Sequence, residues 1–275
     1  MSDPFFEFLE GRALRAAGAT LTNGVLLIEG TYKGDRVTLY RDAAGANLFA
    51  AVNGITQSFP AADVSKIVFD TKRGDDLVKI LSFTGGVIEQ PITVWTHAGK
   101  DTIVGGDGPE RLNAGDDDDV VTGGGGRDTI YGGPGPGADI LRGNGGSDLI
   151  DGEDGADTIR GDAGNDNLSG GANADHIRGS LGNDAIRGGG GNDFLNGDEG
   201  DDQVFGDAGI DVVAGGAGRD TLRGGAGHDG IYLNTTEQDD VDAAEMSAGE
   251  GIDAEAAAAA VTQAKDFPRP RLTFR

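Results

Sequence analysis

A carboxylate recurs every nine residues between Asp101 and Asp229, and the spacing slips once. The positions are Asp101, Glu110, Asp119, Asp128, Asp139, Asp148, Asp157, Asp166, Asp175, Asp184, Asp193, Asp202, Asp211, Asp220 and Asp229. Two residues after each stands an aliphatic, from Ile103 and Leu112 to Leu222 and Ile231. Glycines crowd the positions before it, so the unit reads Gly-Gly-x-Gly-x-Asp-x-aliphatic-x; residues 123–131 and 188–196 are the clearest copies. Fifteen units in this phase fill residues 96–232. They offer carboxylate oxygens together with glycine-rich turn carbonyls, such as those of Gly123, Gly125, Gly143, Gly145, Gly188 and Gly190. These are hard oxygen donors, and a chain without cysteine has no thiolate metal site.

The same unit accounts for how the donors are positioned. Glycines at the first, second and fourth places allow positive φ and close backbone approach. The closing x-aliphatic-x has the alternation of a short strand with one buried side chain. Nine residues cannot hold a core alone, so two units are expected to make one coil, with a strand on each side and a turn at each edge. Stacked coils pair their strands in parallel and put the aliphatics in two facing ladders. Every second aspartate then lies on the same edge, about 4.8 Å from the next. Unit charges at that separation repel by about 0.9 kcal/mol per neighbouring pair even at the dielectric of water. A counter-ion is therefore expected. Calcium takes six to eight oxygens at flexible geometry, whereas magnesium wants a tight octahedron and zinc wants nitrogen or sulfur. The expected site bridges one turn to the turn eighteen residues later. The fixed aliphatic argues against a disordered Gly/Asp tract while calcium is present; without it, a largely unfolded tract is expected.

The units resemble the RTX, or haemolysin-type, calcium-binding nonapeptide repeat. The resemblance covers residues 96–232, about half the chain. It implies an all-β fold, a parallel β-roll or right-handed β-solenoid. It also implies that the sixth-position carboxylates are calcium ligands and that turn carbonyls complete the shell. Departures are local. Glu110 stands in place of aspartate, and Asp117 and Asn173 in place of the fourth-position glycine. Pro136-Gly137 reads as a two-residue insertion that enlarges a turn without moving the strands out of phase.

Composition narrows the function further. The chain has 275 residues, 51 glycines and a formal net charge of −25. That acidity excludes nucleic acid as a partner, which needs a basic footprint, and disfavours anionic membranes. Roughly ten calcium ions would supply about +20 and leave about −5. Calcium modules of modest affinity work where calcium is abundant, so the expected location is extracellular, secreted or at the cell surface. No stretch is long enough to span a membrane as a helix.

Residues 1–19 read as a leader or short helix, with Pro4 in its first turn. They lack the basic start and clean apolar core of a secretory signal peptide. The run Leu9-Glu10-Gly11-Arg12-Ala13-Leu14 is similar to a short element near the start of some bacterial surface and secreted proteins. Residues 20–95 are β-rich, with strands expected at 25–28, 36–40, 48–52, 66–69, 77–81 and 92–95 and a hairpin turn at Asn53-Gly54. Asp35 and Asp76 lie in degenerate relatives of the repeat, Gly34-Asp35-Arg36-Val37 and Gly74-Asp75-Asp76-Leu77-Val78. This region is read as wider, irregular coils of the same parallel stack, covering the N-terminal end of the roll; a separate antiparallel sandwich is the alternative. Strands followed by repeats are similar to extracellular calcium-binding proteins of planctomycete type. After the roll, residues 233–275 read as an acidic loop or short helix, an alanine-rich helix at 252–266 and a disordered tail.

No catalytic arrangement stands out. His97, His176 and His228 fall in different units at different repeat positions and are read as solvated residues, and no His-Glu-x-x-His is present. Lys72, Arg73, Asp75, Asp76 and Lys79 are read as one degenerate calcium turn flanked by solvated lysines. Arg160, Arg178 and Arg187 take ninth positions, the first two on one face, and are read as offsetting the acidic edges. The sequence therefore points to a non-enzymatic extracellular β-roll that folds on binding calcium and serves a structural or adhesive surface role. Its partners are calcium and a cell-surface glycan or another surface protein. The alternative is a calcium-dependent polysaccharide-modifying or polysaccharide-binding protein, or the accessory module of a larger secreted enzyme or toxin.

Overall fold

The computed structural model describes residues 18–82, 86–233 and 240–241. Strands β1 (Gly18–Thr22) and β2 (Val25–Glu29) form a hairpin. β3 (Arg36–Arg41), β4 (Asn47–Val52) and β5 (Ile55–Pro60) form an antiparallel meander. Asn23-Gly24 and Asn53-Gly54 close the two-residue turns with φ between 50° and 82°, the left-handed values such turns require. β6 (Lys66–Asp70), β7 (Leu77–Leu81) and β8 (Ile92–Trp95) follow. Then come the repeat strands, from β9 (Thr102–Val104) to β23 (Gly230–Tyr232), one for each nine-residue unit, and a short β24 (Asp240–Val241).

The strands build two sheets of twelve. One runs β1, β2, β6, β8 and then the even-numbered strands to β24. The other runs β5, β4, β3, β7 and then the odd-numbered strands to β23. Beyond the hairpin and meander, every pairing among the described residues is parallel, as in β2 on β6, β3 on β7 and β11 (Val120–Gly125) on β13 (Ile140–Gly145). The chain thus alternates between two sheets and advances one strand per coil, which makes a parallel β-solenoid. Turns leading into odd-numbered strands line one edge, and turns leading into even-numbered strands line the other.

The aliphatic of each unit explains the two-sheet arrangement. All fifteen, from Ile103 to Ile231, are buried to 2 % exposure or less. They align in register across neighbouring strands, Val37 with Val78, Ile103, Val121 and Leu141. The two-residue insertion is absorbed as expected: Val121 pairs with Leu141 and Ile130 with Ile150, while Leu141 and Ile159 keep the ordinary spacing. At the N-terminal end the core is broader. There β3, β4 and β7 each bury two or three side chains, and Phe69, Ile28, Leu39 and Leu48 lie wholly inside.

Three expectations need correction. β1 and β5 do not appear in the sequence reading, although Asn23-Gly24 carries the same turn signal as Asn53-Gly54. The N-terminal region is neither wholly parallel nor a separate sandwich: β2, β3, β6, β7 and β8 extend the parallel sheets, and antiparallel strands are added at their ends. Within the segment after Tyr232, expected as loop or helix, β24 pairs in parallel with Thr221 and Leu222. The expected leader (apart from Gly18 and Ala19), the helix at 252–266 and the tail lie outside the described residues. Among the described residues no helix is long and apolar enough to cross a membrane.

Candidate metal sites in the turns

Each sixth-position aspartate enters its strand with the carboxyl turned inward, under the turn. From Asp101 to Asp229 none of these side chains belongs to a residue more than 4 % exposed. One oxygen, Oδ1, accepts the backbone N–H of the sixth-position residue one coil earlier. Asp119 does this for Asp101 at 2.7 Å, Asp139 for Asp119 at 2.8 Å and Asp184 for Asp166 at 2.8 Å. The backbone carbonyl of each aspartate accepts the seventh-position N–H one coil later, as Asp119 does for Ile140. The aspartates are therefore stitches between coils.

The second oxygen has no such partner. In Asp128, Asp148, Asp157, Asp166, Asp193 and others, Oδ2 is buried and receives no hydrogen bond. It faces the first-position glycine of its own turn. A Cβ built on Gly123, Gly143, Gly161 or Gly179 would lie under 3.0 Å from both that Oδ2 and the first-position carbonyl of the next coil. The missing side chain thus leaves a cradle walled by a carboxylate oxygen and a peptide oxygen. This corrects the expected role of the first glycine. It is needed for space, whereas positive φ belongs to the second and fourth places, such as Gly124 at 112° and Gly126 at 112°. Asparagine and aspartate also take the second place with positive φ, at Asn144, Asp162, Asp198 and Asp207, and Asp117 and Asn173 do so at the fourth. Their short polar side chains tolerate that region.

Burial without a second donor disfavours the charged form. It pushes Asp157, Asp166 and Asp202 up to about 7 and Asp184 and Asp193 up to about 6. The backbone N–H on Oδ1 pulls part of the way back, and neighbouring carboxylates push further up. Asp119 and Glu110 reach about 8. Orphaned, buried, acidic oxygens beside peptide carbonyls fit a hard cation. Among the described residues no three histidine or acidic side chains converge on one point. A bound cation would be held by fewer than three carboxylates, and backbone carbonyls would supply the rest of the shell. That donor set is the one calcium accepts. The third-position carbonyls, the places of Gly125, Gly145 and Gly190, close coil-to-coil bonds in neighbouring turns, as Ala163 does for Gly146 and Leu181 for Gly164. A carbonyl so engaged keeps a second lone pair.

Sequence reasoning missed three features. Asp35 and Asp76 extend the aspartate ladder: Asp76 Oδ1 accepts Asp35 N–H at 2.6 Å, and Asp101 Oδ1 accepts Asp76 N–H at 2.7 Å. Their degenerate motifs were the available signal. A second ladder runs through fifth positions, where Asn165 accepts the N–H of Asn183 at 2.9 Å and Asn183 that of Asp201 at 3.0 Å. Its signal is a Ser, Asn or Asp at 147, 165, 183 and 201. His97 is not simply solvated, because its Nε2 lies 2.9 Å from Asp70, which also pairs with Lys72. His176 packs against Phe194 with ring centroids 5.0 Å apart. Arg142, Arg160 and Arg178 stand in register, and acidic partners engage Arg160 (Asp162), Arg178 (Asp198) and Arg187 (Asp207).

A parallel solenoid that sets an aspartate beside a first-position glycine turn after turn defines a class of protein, the repeat-built β-roll with oxygen-rich turns. The chain matches the RTX calcium-binding nonapeptide repeat (4 copies) at residues 93–109, 104–136, 135–168, 169–204 and 205–235. These matches span just over half of its length, and the chain belongs to that family. Its repeats are calcium-binding repeats. A search of curated proteins finds no match to the chain.

Proposed function

We propose that this protein is an extracellular, non-catalytic calcium-binding roll that folds when calcium is present and then serves as a structural or adhesive element at a cell surface or in a matrix. The observation that carries the reading is the row of buried Oδ2 atoms without donors, nine of which, from Asp128 to Asp211, border a glycine cradle together with a first-position carbonyl of the next coil. In the repeat ten cradles combine both oxygens, five at Gly123, Gly143, Gly161, Gly179 and Gly197 and five at Gly132, Gly152, Gly170, Gly188 and Gly206. About ten ions per chain is therefore the proposed occupancy. The ligands would be the sixth-position aspartates of these turns with their carbonyls. Bound calcium supplies the positive charge that lets those carboxylates stay ionised where they are buried. The chain's own part is to present the oxygens at fixed spacing and to exclude side chains from the cradle. Such a protein would stay open in a low-calcium interior and close after export.

The test is a calcium titration from chelator followed by far-UV circular dichroism, with calorimetric stoichiometry and magnesium as control. A cooperative gain of β signal, many ions per chain and no response to magnesium is the expected outcome. A chain already fully folded in chelator, or one binding one or two ions, would overturn the reading.

A further inference from the structure

The cradles are not alike along the odd edge, and one side chain per turn makes the difference. In chain order its first-position residues are Gly30, Thr71, Thr96 and Ala114, then glycine at every turn from Gly132 to Gly224. Thr71, Thr96 and Ala114 are 0 % exposed, so their side chains lie inside the turn, where the glycine turns have a cradle. Thr96 shows what fills it. Its Oγ1 donates at 2.7 Å to the carbonyl of Ala114, the first-position residue of the next coil. That oxygen is the counterpart of the Gly143 carbonyl bordering the Gly123 cradle. Thr71 and Ala114 likewise put a wholly buried side chain at the first position of their turns. The first turn keeps its glycine but satisfies its aspartate otherwise. Asp35 accepts the Thr31 N–H at 2.5 Å, the Thr31 hydroxyl at 3.1 Å and the Asn53 side-chain amide at 2.5 Å.

On the even edge the change comes at the same height. Glu110, the first carboxylate there, reaches back to the Gly106 N–H at 3.2 Å, and the first cradle built on an aspartate is that of Gly123 and Asp128. The coils below these points are also the ones with the broad apolar core and the antiparallel hairpin and meander. In the turns of Asp76, Asp101 and Asp119 Oδ2 is buried without a donor, as it is in the later turns; what differs is the first-position side chain, which stands where the later coils have a glycine.

We infer that the N-terminal coils, from β2 to β9, fold without calcium and act as a built-in template on which the calcium-dependent coils from Asp128 onward assemble. The calcium sites begin at Asp128 on one edge and Asp139 on the other. The turns of Asp35, Asp76, Asp101 and Asp119 are closed to the ion by Thr31 with Asn53, Thr71, Thr96 and Ala114. This inference rests on the reading of the glycine cradles as calcium sites, and it removes Asp101, Glu110 and Asp119 from the expected ligand set. The template offers paired strand edges and a finished row of aspartates, so the first calcium-dependent coil is added to existing structure rather than nucleated alone.

Hydrogen–deuterium exchange on the full chain separates the two readings. In chelator, peptides from 25–81 and 92–104 should exchange about 100-fold or more slowly than those from 140–226, a contrast within the range native proteins show. Calcium should then slow the second set. Fast exchange everywhere in chelator with protection everywhere in calcium overturns the template and leaves calcium-driven folding standing. Protection everywhere in chelator overturns calcium-driven folding itself. Calorimetry adds an independent readout. Thr96→Gly and Ala114→Gly each open a cradle and should raise the calcium count of the full chain by one. An unchanged count in both shows that these side chains are not what closes the turns, and overturns the assignment.

Discussion

A sixth-position aspartate uses its two oxygens differently, and single substitutions can separate them. In Asp166, Oδ1 takes the Asp148 N–H at 2.8 Å, while Oδ2 is buried against Gly161 and the Gly179 carbonyl. Asp166→Asn keeps the first bond and replaces a buried charge-bearing oxygen by an uncharged amide. The variant should therefore be more folded than the parent in chelator. In calcium it should bind fewer ions and melt lower. Circular dichroism melts in both conditions check this, and an unchanged chelator signal would count against the orphaned oxygen as the source of instability. The first-position glycine gives a second contrast. Gly170→Ala drives a methyl group into Asp175 and the Gly188 carbonyl, whereas Gly190→Ala meets nothing within 4 Å. The first should lose about one calcium by calorimetry and about 1–3 kcal/mol of stability in calcium; the second should change neither. The carboxylates were legible in the sequence because their type is chemical and their spacing regular. The role of the first glycine was not, because a glycine needed for φ and one needed for space look the same in a sequence.

At the scale of the strand and turn, stability comes from rows rather than from single contacts. The inner row is one aliphatic per unit, and the sequence displayed it plainly because each unit has only one apolar place to fill. The fifth-position row was hidden. The repeat leaves that place free, and Asn165 and Asn183 read as ordinary turn residues until stacking sets each beside the next. Asn183→Ala should remove one acceptor at the even edge and cost about 1 kcal/mol, measured by chemical denaturation in calcium, with the calcium stoichiometry unchanged. A drop in stoichiometry would mean that the fifth-position row shapes the metal sites as well. The N-terminal elements were legible as strands but not as pairings. Asn53-Gly54 was read as a turn and Asn23-Gly24 was not, and β1 and β5 lie beside those two turns with few buried side chains to mark them.

Taken whole, the molecule concentrates buried acids, and that sets how it responds to pH. The aspartates that reach about 6 to 7 in the folded roll have an ordinary value near 3.8. A group raised on folding favours the folded state fully below the lower value, and that support is lost as pH climbs through the higher one. In chelator the roll should therefore gain β signal as pH falls from 8 towards 5 and lose it on return. With saturating calcium the signal should stay high from pH 8 down to 5, while fewer ions remain bound on acidification as protons compete for the same oxygens. Circular dichroism at fixed chelator or calcium, scanned in pH, checks both halves; a parallel response in the two conditions would contradict the assignment. The advance of one strand per coil has a further consequence, mechanical rather than chemical. In a stack where each coil touches only its neighbours, tension applied between the chain's ends is borne by the outermost coil at any instant. Each coil of eighteen residues that lets go releases roughly 60 Å of contour, and the next coil meets the load in the same geometry. Such a rod yields in equal steps at a steady force instead of failing all at once, and it absorbs work in proportion to the number of coils it has.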